Sequence, residues 1–355
     1  MRVCILGTGL TSLTLAKALV NQNIYVDLFA PKKINLPDRS RTIGISKSNI
    51  EFFNNSVINV DKILWKLKKI EIFSDTLKKE KLINFENNNN ELFSIIRNQN
   101  LFEILQKSLF KNKYFKKINY LKNSNFSDKY SLIITTDFTS PITQKYFSRK
   151  IVKEYNSFAY TTIIHHNKVN NNAAVQIFTK LGPLAFLPIS KKETSVVFSL
   201  YNKKKENISN LIEKYNHKYK IQKIEKINCF ELKSLSLRSY YHNNILAFGD
   251  LLHRIHPLAG QGFNMTIRDI KILLEIITSK HNLGLNLDSS VNYEFEKKLK
   301  HKNFIFSNGI DMIHEFFNFE RKMNSTLMSK SVQLINKNPK INKLFINIAD
   351  GGSLF

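Results

Sequence analysis

The stretch from Ile245 to Asp269, ILAFGDLLHRIHPLAGQGFNMTIRD, constrains this chain more than any other, because its residue order describes a strand, a loop and a helix start in succession. Ile245 to Phe248 reads as a buried strand. Gly249-Asp250 then ends it with a residue that permits close backbone approach, followed by a carboxylate able to accept hydrogen bonds from sugar hydroxyls. After His253 and His256, Pro257 stiffens the loop, and Gly260-Gln261-Gly262 leaves bare backbone on which a planar ring can lie. The helical pattern that follows places Ile267, Ile270, Leu274 and Ile277 on one face, so its N-terminus, with unpaired N–H groups and partial positive charge, points into the loop. An electron-rich cofactor edge is the natural occupant. Asp250, His253 and His256 are spaced by three, which makes a metal face only on a continuous helix. Pro257 interrupts one, so no metal site is expected.

The N-terminus carries a second signal. Arg2 to Leu6 reads as a short buried strand, and Gly7-Thr8-Gly9-Leu10-Thr11-Ser12 turns into a helix with Leu13, Ala16 and Leu19 on its apolar face. Tyr25 to Phe29 is the next strand. This is the order of a dinucleotide-binding βαβ unit, in which the first glycine makes the turn and the second lets a pyrophosphate approach the helix N-terminus. It departs from that pattern twice. Ser12 occupies the third-glycine place, and Ala30 stands where an acid normally accepts from the adenosine ribose. The two ends of the chain are expected to meet on one cofactor.

The order GD-L-L-H-R-I-H-P-L-A-G-Q-G-F-N, with Arg268-Asp269 after it, resembles the third motif of the FAD-dependent aromatic hydroxylases, the p-hydroxybenzoate hydroxylase-like flavoprotein monooxygenases. Together with Gly182 to Pro188, GPLAFLP, it looks most like the ubiquinone-biosynthesis branch of the UbiH/UbiF/VisC type. The resemblance implies that Asp250, after Gly249, binds the FAD ribityl chain. It places Pro257 near the reactive edge of the isoalloxazine and has Gly260, Gln261 and Gly262 hold the pyrimidine side, with Asn264 also binding the cofactor. Gly7, Gly9 and Ser12 fall at the pyrophosphate. Arg41, in RTIGISKSNIEFF, matches a segment whose arginine reaches the flavin phosphates. Gln99 stands where the family has a second FAD-holding arginine. Asp137 and Ser140, in DFTSP, match the motif near FAD and the nicotinamide donor, with Phe138 in place of its glycine.

The activity implied is hydroxylation of a prenylated phenol ring in ubiquinone biosynthesis, using FAD, NAD(P)H or another electron donor, and molecular oxygen, by way of a flavin C4a-hydroperoxide. The residues show no nucleophile or metal set of their own, as expected where the cofactor carries the oxygen chemistry. Two other readings stand beside it. One is a related flavin oxidoreductase of different reaction. The other is a non-catalytic subunit of a biosynthetic complex, with Ser12, Ala30, Gln99 and Phe138 marking a degraded FAD site.

The fold expected is α/β, an FAD-binding Rossmann-like domain interleaved with a mainly antiparallel substrate-domain sheet, and a helical C-terminus. The FAD-binding domain is assigned to 1–65, 92–140 and 238–330, the substrate domain to 66–91 and 141–237, and a C-terminal helical segment to 331–355. Asn98 to Phe110 reads as a helix, Tyr130 to Phe138 as a strand ending in a carboxylate, and Lys66 to Glu91 as irregular, with Asn87 to Asn90 a loop tip. Strands are expected at 159–165, 174–178, 184–189 and 195–200, helix between Ile208 and Tyr219, and helix again over 291–319 and 331–349. In the last of these, Ile341, Leu344, Phe345 and Ile348 make an apolar stripe, read as a packing face.

Lys+Arg of 54 against Asp+Glu of 28 gives a net charge of +26, enough to raise nucleic acid as a partner. The lysines are spread through nearly every segment and no nucleic-acid motif accompanies them, so acidic lipid headgroups are the better match. Cys4 and Cys229 form no metal or redox pattern, which points to a reducing compartment. Met1 to Val20 is interrupted by Gly7, Gly9 and Lys17 and is read as fold rather than signal peptide, and no run approaches the roughly 20 apolar residues that span a bilayer. The expected location is the cytoplasm, peripheral on the inner membrane face or in a biosynthetic complex.

Overall fold

Four apolar residues in a row, Val3 to Leu6, are fully buried between helices, and this is why the chain starts as a central parallel strand rather than an alternating one. The computed structural model describes residues 1–30, 38–75, 81–86, 91–119, 129–201, 207–256, 260–323 and 330. β1 (Arg2–Leu6), α1 (Leu10–Asn21) and β2 (Tyr25–Phe29) form the expected βαβ unit with the expected bounds. Next come β3 (Thr42–Ser46), α2 (Lys47–Ser56), β4 (Trp65–Leu67), β5 (Lys69–Ser74), β6 (Lys81–Glu86), β7 (Phe93–Arg97) and α3 (Asn98–Phe110). β5 and β6 correct the expectation of an irregular stretch over 66–91. They are antiparallel neighbours, with Ile70 facing Phe85 and Ile72 facing Ile83, while lysine, glutamate and asparagine occupy the positions between. The loop tip Asn87 to Asn90 lies outside the described residues.

The middle of the chain holds β8 (Phe115–Ile118), β9 (Leu132–Thr135), α4 (Pro141–Tyr146), β10 (Lys150–His166), β11 (Ala173–Thr179), β12 (Gly182–Pro188) and β13 (Glu193–Tyr201). α5 (Ile208–Tyr215) follows, then β14 (Ile221–Ile224), β15 (Asn228–Leu237), β16 (Tyr241–His242), β17 (Ile245–Ala247) and β18 (His253–Arg254). α6 (Gln261–Asn282) and α7 (Ser289–Met323) complete the described elements. The stripe from Ile341 to Ile348 and the segment 331–355 lie outside the described residues.

Two large sheets organise these elements. The first has the order β16-β17-β9-β1-β2-β8 and is parallel except for the β16–β17 pair, as βαβ connections require. Its core joins Leu13, Ala16 and Leu19 of α1 to Leu101 and Leu105 of α3 and to Ile267, Ile270, Leu274 and Ile277 of α6. The four α6 residues expected on the apolar face are all in it. Cys4 is fully buried here, and burial with the nearby Asp27 carboxylate pushes its thiol up to about 12, so it remains a protonated core residue.

The second sheet runs β18-β15-β10-β13-β12-β11-β5-β6, with β14 paired to β10. It is antiparallel except between β11 and β5. Its core is a separate cluster around Leu184, Phe186, Val196 and Phe198, closed by Ile208 and Ile212 of α5. A third, three-stranded sheet, β3-β7-β4, is built from strands that flank β5 and β6 along the chain. Hydroxyls tie its first strand to the large antiparallel sheet: Thr42 Oγ1 donates to Ser195 Oγ at 2.9 Å, and Ser40 Oγ lies 2.9 Å from Thr161 Oγ1.

Candidate functional site

The turn at Gly249 lies against the loop that opens α1. A Cβ at Gly249 would stand 2.6 Å from Thr11 Cγ2, so only a glycine lets the two segments approach this closely, and the motifs from the two ends of the chain do meet. Ser12 has its own explanation. Its Oγ lies 2.7 Å from Thr136 Oγ1, just past β9, so the residue in the third-glycine place is small and its buried hydroxyl is satisfied by the neighbouring strand. A side chain at Gly9 would meet nothing within 4 Å, and the same holds at Gly262.

Both helices that begin here are left uncapped. α1 starts at Gly9 and α6 at Gly260, and neither has a side-chain cap or an acidic residue in its first turn. Their N–H groups and partial positive charge therefore have no side-chain cap among the described residues and suit an acceptor brought by a ligand. Gly260 sits at φ 64°, a left-handed conformation that side chains adopt at a cost, and thereby turns the chain into α6. Gln261 is buried, and its Oε1 has no hydrogen-bond partner among the described residues. Such an acceptor fits a cofactor with an N–H to offer. Open space at two glycines, two uncapped helix N-termini and one orphaned buried acceptor together fit FAD.

Asn264 anchors this loop. It is 1% exposed, donates through Nδ2 to Gly44 O at 3.0 Å, and accepts at Oδ1 from Asn49 Nδ2 at 2.9 Å and Ser46 N at 3.1 Å. The first turn of α6 is thus fastened to β3 and α2. Asp250 is exposed in the 3-10 turn Gly249–Leu251 that leads out of β17. Pro257 lies outside the described residues.

The remaining expected residues take other partners. Arg41 is exposed with its guanidinium 5.5 Å from the centre of the Phe230 ring of β15, while its carbonyl accepts from Asn98 N, bringing it to the start of α3. Gln99 Nε2 donates along its own helix to Glu103 Oε1 at 2.7 Å. Two residues earlier, Arg97 pairs with Glu193 of β13 at 2.9 Å, so the cation nearest the family's arginine place binds the antiparallel sheet. Asp137 Oδ1 accepts from Thr139 N at 2.8 Å in a local turn. Phe138 lies beneath Arg254, whose guanidinium is 4.7 Å from the ring centre, so the aromatic replacing a glycine is packed under a cation. Ala30 is fully buried, its N–H bonded to Ile118 O at 3.0 Å.

Several contacts of the site were not read from sequence, although His253, His256, Arg268 and Asp269 fall in the motif quoted for it. His253 Nε2 and Asp269 Oδ2 lie 2.5 Å apart with both side chains buried, and Asn303 Nδ2 of α7 reaches Asp269 Oδ1 at 3.4 Å. Arg268, beside them, has its guanidinium 4.5 Å from the centre of the Phe306 ring, and burial lowers its pKa while Asp269 opposes the shift. His256 is buried edge-on to Tyr155 at 5.0 Å between ring centres. The Tyr155 hydroxyl bonds Asp311, and burial together with that bond raises its pKa. Tyr155 adjoins a bulge in β10, where Asn156 takes φ 48°. Alternation along β10 could have flagged Tyr155 as inward; its contact with α7 could not be read, because it joins residues 156 positions apart.

An FAD binding domain model matches residues 188–282, the span that contains the Gly249-Asp250 turn and the start of α6. The mitochondrial ubiquinone biosynthesis monooxygenase COQ6 of Drosophila melanogaster is 23% identical over 430 residues, covering 97% of this chain and 88% of that protein. The 3-demethoxyubiquinol 3-hydroxylase of Escherichia coli is 27% identical over 156 residues, 40% of this chain and 39% of its own length. Among solved structures, HpxO of Klebsiella pneumoniae, complexed with FAD and uric acid, shares the fold with a TM-score of 0.74 at 11% identity, over 98% of this chain and 96% of its own. With the glycine turns, the uncapped helices and the orphaned Gln261 already in place, the chain is similar in sequence to an FAD binding domain and to monooxygenases and hydroxylases of ubiquinone biosynthesis, and it shares its fold with an FAD-complexed protein.

Proposed function

We propose that this chain is an FAD-dependent monooxygenase that hydroxylates the ring of a prenylated phenol on the route to ubiquinone, drawing electrons from NAD(P)H or another donor. The observation that carries the reading is the pair of uncapped helix N-termini, α1 and α6, together with the close approach of the Gly249 turn to Thr11 of α1. When bound and reduced, FAD supplies the oxygen-activating chemistry.

The chain's own residues bind, orient and exclude water. Gly7, Gly9 and Ser12 receive the pyrophosphate at α1, Asp250 accepts from the ribityl hydroxyls, and Gly260, Gln261 and Gly262 hold the flavin ring at α6, with Asn264 fixing them. Asp137 and Arg41 stand at the rim. Buried His256 and Tyr155 wall the side facing β10 and keep water from it. The division into an FAD-binding domain of 1–65, 92–140 and 238–330 and a substrate domain of 66–91 and 141–237 follows the same reading, each part centred on one of the two large sheets.

We also place the protein peripherally, at an anionic membrane face or in a biosynthetic complex. The net charge of +26 supports this, and among the described residues no helix is long and apolar enough to cross a membrane. The deciding experiment is a visible absorption spectrum of the purified protein, followed by incubation with a prenylated phenol, an electron donor and isotopically labelled oxygen. A flavin spectrum and one labelled oxygen on the ring are expected. Flavin without ring labelling favours a related flavin oxidoreductase, and absence of flavin favours a non-catalytic subunit.

A further inference from the structure

The segment 249–256, which carries Asp250, is joined to β15 by the pairing of Ser236 with His253 and Leu235 with Arg254, and by Leu237 N donating to Leu252 O at 2.9 Å. On its other side the single side-chain bond from it to α6 among the described residues is His253 to Asp269, at 2.5 Å. Both groups are almost completely buried, where a lone carboxylate or imidazolium is costly and a paired one is held in a fixed geometry. Asp269 lies on α6 between Asn264, which anchors that helix's first turn, and the rest of the apolar stripe. Its second oxygen takes the amide of Asn303, and Glu296 of the same helix α7 accepts from Tyr240 N at 2.9 Å, so α7 braces the arrangement from behind.

We propose that the His253–Asp269 pair, braced by Asn303, is a positioning strut that fixes the Asp250 turn relative to the N-terminus of α6, so that both FAD-facing segments share one geometry. None of the three residues need touch the cofactor. The pair acts through Asp250 on one side and Gly260 to Gly262 on the other, and the inference rests on the FAD reading above. Its consequence is that FAD affinity depends on a bond between two residues outside the glycine turns.

The test is flavin fluorescence titration of the whole chain and of Asp269→Ala, Asp269→Asn, His253→Gln and the double variant His253→Gln/Asp269→Ala, with thermal unfolding of each cofactor-free protein alongside. Asp269→Ala should bind FAD about tenfold more weakly, the loss expected of one bond to a charged group. Asp269→Asn keeps an oxygen that accepts from the imidazole and should recover most of that loss. The double variant should bind no worse than the poorer of its two singles, because both remove the same bond. The visible band shape of bound flavin should change in Asp269→Ala and return in Asp269→Asn. If Asp269→Ala does not fold, His253→Gln, which removes the bond from its other end, and Asp269→Asn, which keeps it, carry the comparison. Equal affinity in parent and variants measured well below their unfolding temperatures overturns the strut, as do losses that simply add. A parent chain that binds no FAD overturns the cofactor reading instead.

Discussion

In the parallel sheet, strands such as Val3 to Leu6 and Leu132 to Thr135 are buried on both faces and appear in the sequence as unbroken apolar runs. In the antiparallel sheet, the centre is buried but the β5–β6 edge is half exposed, and its strands alternate isoleucine or phenylalanine with lysine, glutamate and asparagine. The first region spends its burial on holding two helix N-termini at a fixed place. The second makes a wall with its own separate core. The comparison teaches that the candidate site is shaped by glycines, uncapped helix starts and short bonds more than by the mass of apolar packing near it.

The sharpest way to break that comparison is to damage the second core alone. Phe198 is fully buried among Leu184, Phe186 and Val196, and Phe198→Ala should cost about 3–5 kcal/mol of folding stability through lost transfer energy and the cavity left behind. FAD affinity, measured where the variant is still folded, should stay within about twofold of the parent. Denaturant unfolding and flavin titration on one preparation decide it. Loss of FAD at unchanged stability would mean that the two regions are not separable.

A smaller effect on folding and a larger one on binding is expected at Asp250. It is exposed, so Asp250→Ala should leave the unfolding midpoint close to that of the parent, while losing about 1.5–3 kcal/mol of FAD binding, ten- to a hundredfold in affinity. A variant that titrates FAD as tightly as the parent removes Asp250 from the site.

The two regions also differ in how much the sequence discloses. The βαβ unit, α3 and the α6 stripe are legible because a 3.6-residue or continuous apolar pattern coincides with glycine punctuation: β1, β2 and α3 fall where the pattern puts them. β5 and β6 are not, because dense lysine and asparagine hide a two-residue alternation, and one of their partners, β11, lies a hundred residues on. Within the site, Gly249 and Gly260 announce themselves by local turn chemistry, and Asn264 through the resemblance. The His253–Asp269–Asn303 contact does not, since it joins three elements and no local rule pairs a strand histidine with a carboxylate sixteen residues later. Arg41 and Gln99 are a third kind: the resemblance puts Arg41 at the flavin phosphates and Gln99 where an FAD-holding arginine is replaced, while in the structure Phe230 and Glu103 engage them.

The smallest effect is expected where burial is least, at the β5–β6 edge. Lys81 Nζ lies 2.6 Å from Glu71 Oε1, and Lys69 pairs with Glu86 across the same two strands. Opposite charges facing each other here fix which residues pair, which matters at an edge strand whose unpaired groups otherwise invite another chain. Their contribution to stability is nonetheless modest, because the Lys81 side chain is 49% exposed and water screens the pair. Glu71→Gln should therefore lower stability by only about 0.2–1 kcal/mol in low salt, and the difference from the parent should shrink as salt is raised past the point where the Debye length falls to roughly 8 Å. FAD affinity should not change. Chemical denaturation with urea, which is uncharged, at two ionic strengths is the measurement. A loss that persists undiminished in high salt would show that Glu71 holds the edge by packing or hydrogen bonding rather than by charge, and a fall in FAD affinity would tie even this exposed edge to the cofactor site.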